Sequence, residues 1–129
     1  MGEPGRSADE GDVVSRTHLA QVRAEVGDVT LRRYAQAYLD VLPERLERIE
    51  QALAAADYAK ATDVMFDLRV SSEMLGATRL AALVAELEAA PRIGLPADAL
   101  QVARVHTEAL MVAAVVRAAM SGDCLGRAR

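Results

Sequence analysis

Residues 31–56 read LRRYAQAYLDVLPERLERIEQALAAA, and this stretch carries the longest regular pattern in the chain. Its apolar side chains recur every three or four residues, at Leu31, Tyr34, Tyr38, Leu42, Leu46, Ile49 and Leu53. This spacing places them on one face of an α-helix, and charged residues fill the positions between them. Thr30 is the expected N-cap of this helix. Pro43 is expected to kink the helix or to mark a local break.

Four further segments show helical spacing on either side of this one. They are predicted at residues 17–26, 58–75, 78–90 and 97–120. Asp57 is a suitable N-cap for the helix that begins at residue 58, and Gly76 is suited to the left-handed conformation that ends it. Residues 91–96, PRIGLP, form the clearest loop. Short connections between helices favour an up-down antiparallel four-helix bundle, with an additional short N-terminal helix.

The composition supports an all-α fold. The 129 residues are 52% apolar and include 26 alanines, while aromatic residues make up only 3%. Alanine is the best helix former, and strands favour the β-branched and aromatic residues that are scarce here. The length fits one domain. We therefore expect a disordered leader at residues 1–14, a helical bundle at residues 15–120 and a flexible C-terminal tail at residues 121–129.

Charge and residue usage exclude several classes of function. A net charge of −4 argues against binding to nucleic acid. No run approaches the roughly 20 uncharged apolar residues of a membrane span. Cys124 is the single cysteine and has no partner for an intrachain disulfide, which favours a reducing cytoplasm. His18 and His106 are the only histidines, too few for a histidine-based metal cluster. No metal, no cofactor and no membrane partner are therefore expected.

The last predicted helix has more apolar residues than one stripe needs. Its main stripe is interpreted as Ala103, Leu110 and Ala114, facing the core. A second row lies off this stripe and consists of Val102, Val105, Val112 and Val116. These valines are interpreted as a contact with the short N-terminal helix or with a second subunit.

The third helix carries the best candidate for a binding surface. Its inward stripe is accounted for by Ala61, Val64, Met65, Leu68, Ser72 and Leu75. A second row at four-residue spacing, here called the docking ridge, consists of Phe66, Val70 and Met74. Charged residues, here called the charged rim, surround it: Asp63, Asp67, Arg69 and Glu73. An exposed apolar ridge with a charged rim is typical of a protein-docking patch.

Residues 65–88, MFDLRVSSEMLGATRLAALVAELE, carry a recognisable motif. The segment resembles the histidine phosphotransfer (HPt) family of two-component phosphorelays, whose pattern is A-H-x-L-K-G-S-[SA]-x-x-[LI]-G-A followed by L-x-x-x-x-x-x-L-E. The matching residues are Leu68, Ser71, Ser72, Leu75, Gly76, Ala77, Leu80, Leu87 and Glu88. The resemblance covers about residues 17–120 and implies the helical bundle of that family.

The departures from the motif fall on the chemistry. Phe66 stands at the position of the phosphorylatable histidine, Arg69 at that of the lysine and Val70 at that of the glycine. A phenyl ring has no nitrogen that can form a phosphoramidate. The resemblance implies that the glycine leaves room for an approaching receiver domain, and Val70 fills that room. Neither histidine falls near this helix face in the pattern.

The expected function is that of a non-catalytic, HPt-like binding module. It would dock a response-regulator receiver domain or a histidine kinase through the docking ridge, without carrying phosphate, as a competitive inhibitor or a scaffold. One alternative is a helical homodimerisation domain that uses the same face or the valine row. Another is an active phosphotransfer protein with His18 or His106 as an unconventional acceptor. The bias towards Ala, Arg and Val is typical of a GC-rich bacterial source.

Overall fold

A computed structural model of the chain describes residues 12–92 and 98–128, and these residues form five α-helices. They are α1 (Arg16–Val26), α2 (Asp28–Ala54), α3 (Tyr58–Met74), α4 (Thr78–Arg92) and α5 (Ala99–Ala128). No strand occurs among the described residues, so the predicted all-α class is confirmed.

Local capping decides where several helices begin and end. The Ser15 hydroxyl accepts from the His18 backbone N–H at 3.1 Å, and the Asp57 carboxylate accepts from the Lys60 N–H at 3.2 Å. Gly76 ends α3 with a φ of +81°, as predicted. The N-cap prediction for α2 was wrong: Gly27 occupies that position, and Thr30 lies inside the helix. Gly27 has a φ of +91° and separates α1 from α2. The second helix therefore begins at Asp28, before the predicted start at residue 31.

α2 runs through Pro43 without interruption, so the predicted local break is absent. Proline removes one backbone hydrogen bond from a helix interior. Pro43 is exposed, whereas the neighbouring Leu42 and Leu46 are buried in the core. Burial of this apolar face on both sides of the proline keeps the helix continuous.

The four long helices pack in a ring, α2 against α3, α3 against α4, α4 against α5, and α5 back against α2. Pairs between helices show the antiparallel arrangement. Arg32 Nη1 donates to the Met120 carbonyl at 3.0 Å, and Glu50 Oε2 lies 3.2 Å from His106 Nδ1. The start of α2 thus lies beside the later part of α5, so the two helices run antiparallel. α1 packs on the outside of α2. The predicted bundle with an additional N-terminal helix is confirmed.

The core is aliphatic, with one polar contact at its centre. Met65, Leu68, Leu80 and Leu87 are fully buried, together with many alanines. The hydroxyls of Tyr38 and Ser72 lie 2.9 Å apart, also buried. Burial raises the pKa of Tyr38 above its usual value, although the hydrogen bond to Ser72 acts in the opposite direction. The neutral phenol is therefore the form that the folded protein prefers.

The two apolar rows of α5 face in the directions opposite to those predicted from the sequence. The buried row contains the valines, together with alanines: Val105, Ala109, Val112, Ala113 and Val116. Leu110, predicted to face the core, is 57% exposed, and Ala103 and Ala114 are exposed with it. Four valines bury more apolar surface than one leucine and two alanines, so the valine row faces the bundle. The valines are therefore not available for a second subunit.

Both predicted domain boundaries need correction where the structure describes them. Val14 is buried, and the Ser15 N–H donates to the Gly76 carbonyl at 2.9 Å, so residues 12–14 belong to the packed structure rather than to a leader. α5 continues to Ala128 in place of an irregular tail, since glycines weaken a helix but no proline stops it there. α4 includes the first two residues of the predicted loop. Residues 1–11, 93–97 and 129 lie outside the described residues.

One stretch of the described helices, Ala99–Ser121 in α5, is long and apolar enough to cross a membrane by length and composition alone. Arg104, Glu108 and Arg117 interrupt it. Its valine row forms part of the core, and Glu108 is also buried, where it accepts from Arg79 at 3.0 Å. About 33% of its most apolar window is buried inside the bundle, so packing accounts for part of its apolar character.

Candidate functional site

The docking ridge lies on the side of α3 that faces away from the core. Phe66 is 50% exposed and Met74 is 52% exposed, while Val70 is partly buried. The four-residue spacing sets these side chains in an oblique row across the helix surface. Phe66 is the only phenylalanine of the chain. Its half-exposed ring is a large apolar group on this surface. The exposure that the sequence pattern predicted for Phe66 and Met74 is present.

The charged rim is asymmetric around Phe66. Asp63, Asp67 and Glu73 are exposed carboxylates, whereas Arg69 is partly buried. Arg69 Nε donates to Glu88 Oε1 at 2.6 Å, and its Nη1 lies 3.9 Å from a Glu73 oxygen. The hydrogen bond and the charge of Glu88 raise the pKa of Arg69 above its usual value. The only cation of the charged rim is thus already paired, and the other three members of the rim are acidic.

Arg69 also contacts the aromatic ring of Phe66. Its guanidinium carbon lies 5.3 Å from the centroid of the Phe66 ring, within the range of a cation–π contact. Glu88, from α4, is 3% exposed and binds the guanidinium on its buried side. These three side chains, with Thr62, Asp63 and Asp67, line an open depression between α3 and α4. Glu88 therefore fixes Arg69, and Arg69 in turn holds the Phe66 ring.

Arg69→Ala is expected to lower the melting temperature of the protein more than Arg48→Ala. Glu88 is buried, and without Arg69 its charge loses its partner in the interior. Arg48 makes a comparable 2.7 Å pair with Glu44, but both of those side chains are more than half exposed, so water replaces the lost partner. Thermal unfolding followed by circular dichroism checks the comparison. Equal shifts for the two variants would contradict the role assigned to the Arg69–Glu88 pair.

The other end of the docking ridge contacts α2 and α1. The Tyr34 hydroxyl donates to the Ser71 carbonyl at 3.2 Å and lies 3.5 Å from the Met74 sulfur. Burial raises the pKa of Tyr34. Arg45 donates to the Ser71 hydroxyl at 3.1 Å. These contacts tie α3 to α2 beside Met74, and they leave Phe66 as the part of the ridge furthest from α2.

Three residues of this site were missed as site residues from the sequence. Glu88 matched the family motif but was given no role, and Tyr34 was assigned only to the inward stripe of α2. The polar hydroxyl of Tyr34, within a mainly apolar stripe, was the available signal, because a buried hydroxyl needs a partner. Arg45 gave no signal, since an arginine between apolar positions normally lies in solvent.

The two histidines lie away from Phe66. His18 Nε2 is 2.8 Å from the Met74 carbonyl, and the His18 ring packs against Gly76 at the C-terminal end of α3. His106 pairs with Glu50 on the α2–α5 side of the bundle. Neither imidazole adjoins the depression at Phe66. Within residues 12–92 and 98–128, no group of three potential metal ligands is present.

The site thus presents a half-exposed apolar ring with acidic neighbours, and the side chain at its central position offers no nucleophile. The comparison with protein families fits this geometry: a family model described as Hpt domain matches residues 33–119. Neither the curated proteins nor the solved structures gave a match to this chain. The matched range contains all of α3 and α4, and with them every residue around Phe66 described above. α1 lies outside it.

Proposed function

Because the chain belongs to the Hpt domain family, which acts in two-component phosphorelays, we propose that it docks a phosphorelay partner without carrying phosphate. Domains of this family are phosphotransfer carriers rather than catalysts. They are generally soluble cytoplasmic modules that interact with histidine kinases and receiver domains. In the proposal, this chain keeps the scaffold and the interaction and has lost the transfer reaction.

One observation carries the proposal: a half-exposed phenyl ring stands where the sequence resemblance sets the phosphoacceptor histidine of the family. Phosphoryl transfer to such a domain requires a nitrogen lone pair that attacks phosphorus. The depression around Phe66 is lined by the Arg69 guanidinium, which has no free lone pair, the Thr62 hydroxyl and carboxylates, and none of these is an imidazole nitrogen. The ion pair with Glu88 further reduces the charge that Arg69 offers to a phosphoryl group.

The same substitution makes the surface better suited to protein binding. An imidazole and a glycine would bury little apolar area, whereas Phe66 and Val70 together contribute on the order of 3–5 kcal/mol when buried, before the costs of association. Partly exposed aromatic side chains are frequent hot spots at interfaces. Arg69 holds the ring in place before binding, which lowers the entropy lost on association.

The charges around the ridge define the partner further. Asp63, Asp67 and Glu73 surround an apolar centre, and Arg69 is internally neutralised. A partner surface with an apolar pocket and basic residues around it is complementary to this arrangement. We propose a receiver domain as the partner, with a histidine kinase as the second candidate. Binding would block the receiver surface against active phosphotransfer domains or hold the receiver in a complex.

The proposal is tested by separating binding from transfer. The full chain is incubated with a receiver domain carrying a radiolabelled aspartyl phosphate, and complex formation and label on this chain are measured in parallel. We expect a complex with micromolar affinity and no acid-labile label on this chain. Stable acid-labile label on the wild-type chain would overturn the claim of incompetence. Failure to bind any receiver domain or kinase of its own signalling system would overturn the docking claim.

A further inference from the structure

A depression lies between α4 and α5, and it is here called the α4–α5 depression. It has a volume of about 400 Å³. Both helices contribute to its lining, which consists of Leu83, Leu100, Ala103, Arg104, Thr107 and Glu108. None of these residues lines the depression at Phe66. The α4–α5 depression is therefore a feature separate from the docking ridge.

Glu108 brings a buried carboxylate with one unpartnered oxygen to this depression. The residue is only 6% exposed, and its Oε1 accepts from Arg79 Nη2 at 3.0 Å. Among the residues that the structure describes, none donates a hydrogen bond to the other oxygen, Oε2, which is also buried. A buried acceptor has lost its hydrogen bonds to bulk water, so in folded proteins such an atom normally has another donor. The Glu108 carboxylate therefore has room for one more hydrogen bond.

The ion pair with Arg79 leaves the depression side of Glu108 open. Arg79 is not among the lining residues, and Leu83, which is, follows Arg79 by one turn of α4. On α5, all the other lining residues precede Glu108. Because neighbouring helices of the bundle run antiparallel, these residues and Leu83 lie on the same side of the Arg79–Glu108 pair. The depression thus extends from Glu108 away from Arg79.

The chemistry of the lining selects a neutral hydrogen-bond donor with an apolar body. Leu83, Leu100 and Ala103 offer apolar contacts. The carboxylate of Glu108 repels an anion, whereas Arg104, together with the Arg79 that already compensates Glu108, disfavours a cation. A phenol has both required parts, since its ring contacts the apolar walls and its hydroxyl forms a charge-assisted hydrogen bond to a carboxylate. A cavity of about 150 Å³ already holds benzene, so one ring fits in the available volume.

We propose that the α4–α5 depression binds a neutral phenol, whose hydroxyl donates to Glu108 Oε2 and whose ring contacts Leu83 and Leu100. A rigid ring loses less conformational entropy on binding than a flexible alcohol of similar size. The phenol belongs either to a free small molecule or to a tyrosine of a partner protein, which present the same chemical group. The site shares no residue with the docking ridge, so it does not rest on the proposed function.

Titration of the full chain with phenol, followed by NMR of the backbone amides, tests the site. We expect shifts that concentrate at Leu83, Ala103 and Thr107, with a dissociation constant of about 1 mM. Benzene is the matched control ligand, because it has the same ring without the donor. It is expected to bind about tenfold more weakly, since it leaves the carboxylate oxygen unpartnered.

Two variants separate the hydrogen bond from the apolar contact. Glu108→Gln keeps one oxygen for Arg79 but replaces the other by an amide nitrogen that donates, so the preference for phenol over benzene is expected to fall to about twofold or less. Ala103→Trp fills the depression from an exposed position and is expected to abolish the shifts with both ligands. Glu50→Gln, which removes an exposed carboxylate on the α2 side of α5, is the control and is expected to bind phenol as wild type does. Circular dichroism verifies folding.

Three outcomes would overturn the phenol site. The first is equal binding of phenol and benzene, or an absence of shifts around the depression, which would leave a water molecule as the partner of Oε2. The second is a preference for phenol that survives Glu108→Gln. The third is a set of shifts that Ala103→Trp leaves unchanged.

A third ligand, N-acetyltyrosinamide, distinguishes the two sources of the phenol. Shifts like those with phenol would assign the site to a tyrosine side chain of a partner protein. If phenol alone causes the shifts, the site takes a free phenol, because the depression then has no space for the attached backbone. Either result supports the proposed chemistry.

Discussion

Replacing Phe66 by aspartate is expected to weaken binding of the receiver domain by about 100-fold or more. The substitution removes the half-exposed ring at the centre of the contact and adds a carboxylate to a surface that already carries Asp63 and Asp67. Loss of apolar burial and the desolvation of a new charge act in the same direction. Isothermal titration calorimetry with the unphosphorylated receiver domain measures the change.

Leu100→Asp is the matched control for this prediction. Leu100 is a comparably exposed apolar residue in α5, outside the depression around Phe66. It is expected to leave receiver affinity within about twofold of wild type, since surface substitutions away from a contact have small effects. If the two variants bound equally well, the receiver would not contact the docking ridge, and the proposed mode of binding would be wrong.

Replacing Phe66 by histidine is expected to turn the chain into a phosphoacceptor, with labelling that rises clearly above background. The side chain at position 66 is exposed, and the matched scaffold of residues 33–119 surrounds it. In the expected step, an imidazole nitrogen attacks the phosphorus of the receiver aspartyl phosphate, the bond from phosphorus to the carboxylate oxygen breaks, and a P–N bond forms. Acid-labile label on the chain measures the product.

Two further variants sharpen this experiment. Phe66→His combined with Val70→Gly is expected to accept the label faster, because removing the valine side chain opens space for the receiver domain. The added glycine costs the helix roughly 0.5–1 kcal/mol, so folding is verified first. Met74→His places an imidazole at an equally exposed position of the same ridge, 52% against 50%, and is expected to remain unlabelled. Label on Met74→His, or none on either Phe66 variant, would contradict the assignment of position 66.

Several features set within a few residues were predicted from the sequence, although the N-cap of α2 was not. Asp57 caps α3 and Gly76 ends it, because each acts on backbone groups of its own helix. The resemblance of residues 65–88 to the family motif, which sets Phe66 at the histidine position, is also a local feature of the sequence. The outward direction of Phe66 followed from spacing, since the opposite face of α3 was already filled by Leu68 and its neighbours.

Features that depend on two elements were missed or reversed. The pairing of Arg69 with Glu88 joins residues 19 positions apart on different helices, so no local pattern indicates it. Val14 is buried because the chain before α1 crosses the end of α3, where Ser15 bonds to Gly76. The orientation of α5 was reversed because two apolar rows of one helix satisfy the same periodicity. Their relative apolar area was a usable signal, and it favoured the valines.

The sequence by itself therefore determined the helices, their class of bundle and the absence of a nucleophile at position 66. Helix spacing, capping and side-chain chemistry are properties of short segments, and they persist whatever packs around them. Only the tertiary structure decided which side of α5 is covered and how Glu88 pairs with Arg69. These depend on which surfaces meet when the helices pack, because burial and ion pairing are properties of pairs of elements.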